Sequence, residues 1–185
     1  MKYCSECGAP VRLKVPAGDN LPRYVCERCQ TIHYQNPKLV VGCIPERGSE
    51  VLLCRRAINP RYGLWTLPAG FMENGETTAA AAAREAREEA NADVDIGELF
   101  SLFNLPHVNQ VYLIFHGQLL NSDYAPGTES LEVKLFREAD IPWNELAFPA
   151  IQRTLRYYYQ DRRTGRLAFH LGDITASTDP GPGSG

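Results

Sequence analysis

The sequence predicts an α/β protein: an α/β/α sandwich with a mixed sheet, preceded by a small cysteine-rich unit. After residue 37, segments typical of strands surround two segments typical of helices, an order that favours a mixed sheet between helices. Before residue 37, two Cys-x-x-Cys pairs lie in a stretch too short to bury much core. We therefore expect a unit at 1–36, a domain at 37–172 and a disordered polar tail at 173–185.

Composition narrows the class of protein. The 185 residues are 44% hydrophobic and 22% charged, which is typical of a globular domain. The net charge of −3 and the pI near 5.8 argue against nucleic acid as a partner, because broad nucleic-acid binding relies on positive charge. Neither a run of eighteen apolar residues nor the apolar core of a signal peptide is found, so we expect no membrane partner and a cytoplasmic location.

The first element is a predicted structural zinc site. Its ligands would be the two pairs Cys4/Cys7 and Cys26/Cys29, whose spacing is typical of four-cysteine zinc sites. Gly8 suits the tight turn after the first pair, whereas Gln30 in the equivalent position is less suited. Redox-active cysteine pairs are the alternative. His33 could substitute as a ligand, but we favour a position facing solvent or a neighbour.

The other elements follow from residue patterns. The uninterrupted alanines from Ala79 to Ala83 favour a helix from Glu76 to about Ala90, and a second helix is predicted at Ala150–Arg162. The three tyrosines Tyr157 to Tyr159 on that helix are interpreted as part core and part interface of a homodimer. The predicted strands are Val11–Val15, Arg23–Val25, Leu39–Ile44, Val51–Arg56, an extended run Leu64–Phe71, residues 94–105, Gln110–Leu120, Leu131–Phe136 and a short strand within 166–171.

The first helix combines an apolar stripe with a group of acids. The stripe consists of Ala79, Ala83, Ala86 and Ala90. We expect it to pack on the sheet, with the acids turned toward a cleft. Glu85, Glu88 and Glu89 fall within an arc of about 100°. Carboxylates so close favour a cation between them, and hard oxygen ligands suit magnesium. Asn91 can end the helix in a left-handed conformation.

The stretch from Gly70 to Ala92 resembles the signature of the Nudix hydrolases. The glycine and charged positions match at Gly70, Glu76, Arg84, Glu85, Glu88 and Glu89. Asn91 replaces the usual glycine, and Ala86 and Ala92 replace larger aliphatic residues. The lead-in LWTLPAG and the segments HYQNPKLVVGC, LLCRR, APGTESLE and LAF extend the resemblance over most of the chain. They are similar to the zinc-ribbon Nudix subgroup that includes a plant plastid enzyme cleaving FAD and ADP-ribose.

This resemblance and the chemistry of the residues imply a catalytic Mg (or Mn) site in addition to structural Zn. The expected metal ligands are Glu85, Glu88, Glu89 and the carbonyl of Ala69 or Gly70, with Glu129 and Glu132 as candidates for a later carboxylate. One of these acids would act as the general base. Arg84 is expected to pair with Glu76 and to hold a glutamate in place.

Substrate contacts are predicted from charge and aromaticity. Of the adjacent Arg55 and Arg56, one would suit a phosphate and the other a solvated surface, and Arg55 is assigned to the phosphate. Three aromatic residues could stack on a base: Trp65, Phe71 and Tyr112. The alternative for each is a place in the core. His107 is interpreted as a surface residue.

The resemblance implies Mg-dependent hydrolysis of the pyrophosphate bond of a small nucleoside diphosphate derivative, with ADP-ribose or FAD preferred. One alternative is an NADH pyrophosphatase. Against it, the Ser-Gln-Pro-Trp-Pro-Phe-Pro-x-Ser array of that group is absent, and SLFNLPHVNQ stands in its place. A second alternative is a non-catalytic nucleotide-sensing or RNA-binding module, against which the complete set of glutamates argues.

Overall fold

Three short antiparallel strands build the first unit, Met1–Pro37: β1 (Val11–Lys14), β2 (Arg23–Cys26) and β3 (Ile32–His33). The structure, a computed structural model, describes residues 1–175. Gly8 and Gln30 both have positive φ, 71° and 60°, so the two cysteine pairs end in similar turns. Gln30 tolerates this conformation because its side-chain amide donates to the Glu27 carbonyl oxygen at 2.9 Å.

The second unit begins at Lys38 and contains an eight-stranded mixed sheet. Its strands are β4 (Lys38–Arg47), β5 (Glu50–Arg56), β6 (Trp65–Thr66), β7 (Ala69–Phe71), β8 (Val94–Leu105), β9 (Gln110–Leu119), β10 (Ser130–Arg137) and β11 (His170–Asp173). Six of them follow the order β10-β5-β4-β9-β8-β11, and the short strands β6 and β7 pair with β5 and β4 respectively. β4 and β9 are parallel, as are β8 and β11, and the other neighbours are antiparallel.

The two long helices, α1 (Thr78–Ala90) and α2 (Pro149–Thr164), belong to different buried clusters. Leu52 belongs to the cluster that contains the alanines of α1, and its neighbour Leu53 belongs to the cluster that contains Ile151 and Leu155 of α2. Because neighbouring strand residues point to opposite faces, the helices cover opposite faces of the sheet. The predicted α/β class with a mixed sheet between helices is confirmed.

Helix α1 differs from its prediction in two ways. It begins at Thr78, after the cap Thr77, whose hydroxyl accepts from the Ala80 amide at 3.1 Å; Glu76 therefore precedes the helix. Its buried face consists of Ala81, Ala82, Glu85, Ala86, Glu89 and Ala90, so the predicted stripe through Ala79 and Ala83 is rotated. Two glutamates share the buried face because the short strand β7 lies against it. Asn91 ends the helix at φ 47°, as predicted.

The predicted start of the tail at 173 is too early. Asp173 is the last residue of β11, and Ile174 is fully buried with its amide donating to the Asn104 carbonyl at 2.9 Å. An apolar side chain that fits the core keeps this segment ordered, and residues 176–185 lie outside the described range. Within residues 1–175, no helix is long and apolar enough to cross a membrane.

The tyrosines of α2 serve the core more than was predicted. Tyr158 and Tyr159 are buried, and Tyr157 stacks on His170 with ring centroids 4.1 Å apart. Tyr158 and Tyr159 therefore supply the core part of that interpretation, and the homodimer stays a prediction.

A polar clamp joins α2 to the end of β4. It is centred on Glu46, whose carboxylate accepts hydrogen bonds from Tyr158 and Gln118. The same carboxylate lies 2.8 Å from Arg162 Nη1 and 3.1 Å from His116 Nε2. Burial alone would raise the pKa of Glu46, but the hydrogen bond from Tyr158 and the nearby His116 ring outweigh it and hold the pKa below its usual value.

This clamp should make stability depend on pH. A carboxyl group with a depressed folded-state pKa stabilises the fold above its unfolded pKa, and that contribution is lost as pH falls through the folded pKa. We expect Glu46→Gln to unfold at lower urea concentration than wild type at pH 7, with the difference shrinking as pH falls below the usual glutamate pKa of about 4.3. Glu50→Gln, which changes an exposed pair with Arg137, is the control and should leave the profile unchanged. A constant difference from pH 7 to pH 3 would contradict this role.

Candidate active site

A cleft of about 1150 Å³ opens in the second unit beside α1 and β7. One end is acidic and is formed by β7, α1 and the loop that precedes β10. The other end is apolar and is formed by β9 and the start of α2. The acidic end includes Glu73, Glu85, Glu88, Glu89 and Glu129, and the apolar end includes Leu105, Val108, Tyr112, Phe148 and Pro149.

Arg84 organises the acidic end. Its Nε and Nη2 form a fork on the Glu76 carboxylate at 3.0 and 2.8 Å, and its Nη1 contacts Glu85 at 2.8 Å and Glu88 at 3.0 Å. Nη2 also donates to the Phe71 carbonyl. The hydrogen bonds from Arg84 lower the pKa of Glu76 to about 2. In this geometry Arg84 pairs with Glu76 and orients Glu85, as expected from the sequence.

Glu85 and Glu89 are held against β7. A side chain on residue 70 would place its Cβ 2.4 Å from Glu85 Oε1, so only glycine leaves room for this carboxylate. Glu89 Oε2 accepts from the Ala69 amide at 3.1 Å. Both glutamates are more than nine-tenths buried, and burial raises the pKa of Glu89 to about 8.

The donor set fits a divalent cation. Two buried carboxylates with raised pKa values lack a sufficient counter-charge, and carboxylate oxygens are the ligands that magnesium prefers. The residues that would hold the ion are Glu85, Glu88 and Glu89, with Ala69 and Gly70 lining the same wall. Within residues 1–175 the acids do not form a tight cluster of three, because the Arg84 guanidinium lies between Glu85 and Glu88.

The loop before β10 separates the two later carboxylates. Glu129 lines the cleft, whereas Glu132 is an exposed residue of β10 whose carboxylate lies 3.9 Å from Arg55. Glu132 therefore does not belong to the site, because strand alternation and the sheet edge turn it outward.

Hydrogen bonds attach this loop to the end of α1. The Gly127 amide donates to the Glu89 carbonyl at 3.0 Å, and the Ala125 amide donates to the Ala90 carbonyl at 2.9 Å. The Asn91 side chain donates to the Ala125 carbonyl. Sequence reasoning missed this attachment, and the glycine in APGTES was its only signal.

The predicted substrate residues divide into two groups. Phe71 and Tyr112 line the cleft, and Phe71 also carries the Lys38 ammonium 4.6 Å from its ring centroid. Trp65 is in the core, edge-on to Phe136 at 4.9 Å, so its alternative role in the core is the correct one.

The assignment of Arg55 to the phosphate is wrong, because consecutive residues of β5 face opposite sides. Arg55 lies outside the cleft, where its Nε donates to the Gly63 carbonyl, whereas Arg56 lines the cleft. His107 is exposed, as expected.

A separate cysteine cluster occupies the first unit. The sulfur atoms of Cys4, Cys7, Cys26 and Cys29 all lie within 4.8 Å of one another, which fits a tetrahedral zinc ion. Hydrogen bonding to Thr31 lowers the pKa of the Cys29 thiol to about 6, which favours the thiolate that binds metal. His33 is buried with Nε2 3.3 Å from Cys4 Sγ, so it faces a neighbour and not solvent.

Comparisons with known proteins agree with this architecture. A zinc-ribbon family model described as "Nudix N-terminal" matches residues 2–35, and the model of the NUDIX domain matches residues 36–159. A solved structure, a NUDIX hydrolase from Nitrosomonas europaea, superposes with a TM-score of 0.92 at 58% identity, covering 95% of this chain and 99% of that one.

Two curated relatives carry more specific names. The "NAD-capped RNA hydrolase NudC" of Stutzerimonas stutzeri is 31% identical over 173 residues, covering 89% of this chain and 58% of that protein. The "ADP-ribose pyrophosphatase" of Methanocaldococcus jannaschii is 30% identical over 121 residues, covering 62% of this chain and 69% of that protein. The chain thus spans less than two thirds of the NudC protein. Because the NUDIX domain model matches more than half of the chain, the protein belongs to the Nudix hydrolase family.

Proposed function

We propose that the protein hydrolyses the pyrophosphate bond of a nucleotide that contains adenosine diphosphate ribose, with NADH and ADP-ribose ahead of FAD. The observation that supports it most directly is the placement of two buried glutamates against Gly70, in a cleft that also contains Arg56. Such a site can gather cations around the charged oxygens of a pyrophosphate, which otherwise repel an attacking hydroxide.

The glutamates and Arg84 have different parts in this proposal. When bound, a divalent Mg or Mn ion would neutralise the pyrophosphate and lower the pKa of its water. Glu85, Glu88 and Glu89 would hold it, Arg84 orients Glu85 and Glu88, and Glu76 fixes Arg84 through the two-pronged contact. Glu129, which lines the same cleft, is the candidate for taking the proton from the attacking water.

The order of substrates follows the relatives. The relatives are named for NAD-capped RNA and for ADP-ribose, and both of these compounds contain adenosine diphosphate ribose. FAD contains only part of that unit, because its second phosphate carries ribitol and not ribose. NADH was the alternative expected from the sequence, and these names favour it over FAD. The missing proline-rich array stays an argument against strict NADH specificity, so ADP-ribose is kept beside it.

Turnover of a substrate panel tests the proposal. We would incubate the protein with Mg²⁺ and NADH, ADP-ribose, FAD or an NAD-capped RNA, and follow AMP or 5′-phosphorylated RNA by chromatography. The expected result is a higher kcat/KM for NADH or ADP-ribose than for FAD, with no product in EDTA. Failure to turn over any of these would contradict the proposal, and a highest kcat/KM for FAD would reverse the order.

The non-catalytic alternative and the nucleic-acid question are decided by the same panel. Tight binding of a nucleotide without product would favour a sensor. The expectation of no nucleic-acid partner rests on the acidic pI, and a capped RNA hydrolysed faster than free NADH would contradict it.

A further inference from the structure

The cleft contains an arginine that the hydrolytic machinery does not use. Four arginines line it: Arg56, Arg61, Arg84 and Arg87. Arg84 is engaged by three glutamates, and Arg87 pairs with Asp93 at 2.8 Å. Arg61 is partly exposed. Arg56 is 8% exposed, and within residues 1–175 no carboxylate lies within ion-pair distance of it.

The Arg56 side chain is fixed in place without being neutralised. Its Nε donates to the Pro60 carbonyl at 3.0 Å, and its guanidinium lies over the Phe148 ring at 5.0 Å from the centroid. These contacts leave the two Nη groups available at the cleft wall. A buried guanidinium without an anion is costly, so it is best explained by an anionic ligand that completes its fork.

The surroundings of Arg56 indicate what is attached to that anion. Phe148 and Tyr112 lie with ring centroids 6.4 Å apart, and Leu105, Val108 and Pro149 extend the same wall. Phe148 immediately precedes α2, so the positive end of a sixteen-residue helix lies at this wall. An apolar wall beside a fixed arginine suits a flat base joined to a phosphate.

The wall beside Arg56 lies close to the glutamates of the acidic end. Arg56 is close enough for its charge to act on Glu89, and the Ala57 amide donates to the Glu129 carbonyl at 2.8 Å. A phosphate on Arg56 would therefore lie beside the carboxylates, where the second phosphate of a pyrophosphate would be needed.

We propose that Arg56 and the wall formed by Tyr112 and Phe148 are the nucleoside monophosphate subsite: Arg56 binds one phosphate and the wall receives its base. The proposal rests on the proposed class of substrate but not on its hydrolysis. It also places the base on Phe148, the residue that caps the start of the second helix, and away from Phe71.

Calorimetric titration with AMP and with ribose 5-phosphate in EDTA tests this subsite. Arg56→Met should weaken binding of AMP at least tenfold, and Arg56→Lys should recover only part of it, since a point charge replaces a fork. Arg55→Met, the neighbouring arginine outside the cleft, is the matched control and should bind AMP like wild type. Phe148→Leu, or Phe148→Met as a second non-aromatic variant, should weaken binding of AMP while leaving that of ribose 5-phosphate unchanged.

The outcomes are separable from the proposed function, because binding in EDTA requires no turnover. Wild type that shows no saturable AMP binding would overturn the subsite, as would Arg56→Met that binds AMP within twofold of Arg55→Met. A loss of AMP binding in Phe71→Ala but not in Phe148→Leu would move the base to the other wall. Each variant's thermal unfolding is measured first, and Phe148→Met, which also removes the aromatic ring, replaces Phe148→Leu if the latter does not fold.

Discussion

Replacing Glu89 by glutamine is expected to lower kcat by about 10²–10⁴-fold, because the ion that would activate the attacking water loses an anionic ligand. Glu89 is 6% exposed, and its carboxylate points at β7, where a metal would need an anionic ligand. Glutamine keeps the shape and removes the charge. Steady-state turnover of NADH or ADP-ribose with Mg²⁺ measures the loss.

The fold should not suffer in this variant. The pKa of Glu89 near 8 means that the metal-free protein already holds this carboxyl largely protonated at pH 7, so a neutral amide changes little. Thermal unfolding in EDTA should therefore match wild type. Glu98→Gln, at an exposed position of β8, is the control and should keep full activity. Near wild-type kcat for Glu89→Gln would contradict the assignment of the metal site.

Replacing Gly127 by alanine is expected to displace the loop that carries Glu129. The added Cβ would lie 1.7 Å from the Glu88 carbonyl oxygen, which belongs to the backbone of α1 and cannot rotate away. The loop must then move and give up the hydrogen bonds from Gly127 and Ala125 to the end of α1. We expect a loss of about 1–3 kcal/mol in unfolding free energy together with a large loss of activity.

A second glycine provides the control for this prediction. At Gly172 an added Cβ would meet Phe103 at 3.4 Å, an ordinary contact, so Gly172→Ala should be close to neutral in urea unfolding and in turnover. If Gly127→Ala loses stability but keeps wild-type kcat, Glu129 is not required in its present position. If it loses neither, the loop is not attached to α1 as described.

The sequence was sufficient to predict which charged residues of the site meet, and insufficient to predict which way several side chains point. The spacing of the glutamates and Arg84 on a strongly helical segment predicts which of them meet, because helical geometry is local. Which of Arg55 and Arg56 faces the cleft is not local. β5 is covered on both faces, so its residues show no polar and apolar alternation that would reveal the sides.

The same limit applies to the later elements. Glu129 and Glu132 are three residues apart, and only the irregular pairing where β10 begins beside β5 separates a cleft residue from a surface one. Phe148 lies in a loop before α2, more than fifty residues from α1, and no short-range pattern brings it to the cleft. Burial of Glu85 and Glu89 on the alanine face was missed because β7, a three-residue strand, has no periodicity.

The placement of the two helices on opposite faces of the sheet has a consequence for how this protein can diverge. The acids that would perform hydrolysis come from α1, whereas the wall proposed for the base comes from β9 and the start of α2. A substitution at Phe148 or Tyr112 leaves the contacts among Glu76, Arg84 and Glu85 untouched. Descendants of this chain can therefore acquire a new substrate preference by mutation around α2 while they inherit the hydrolytic machinery intact.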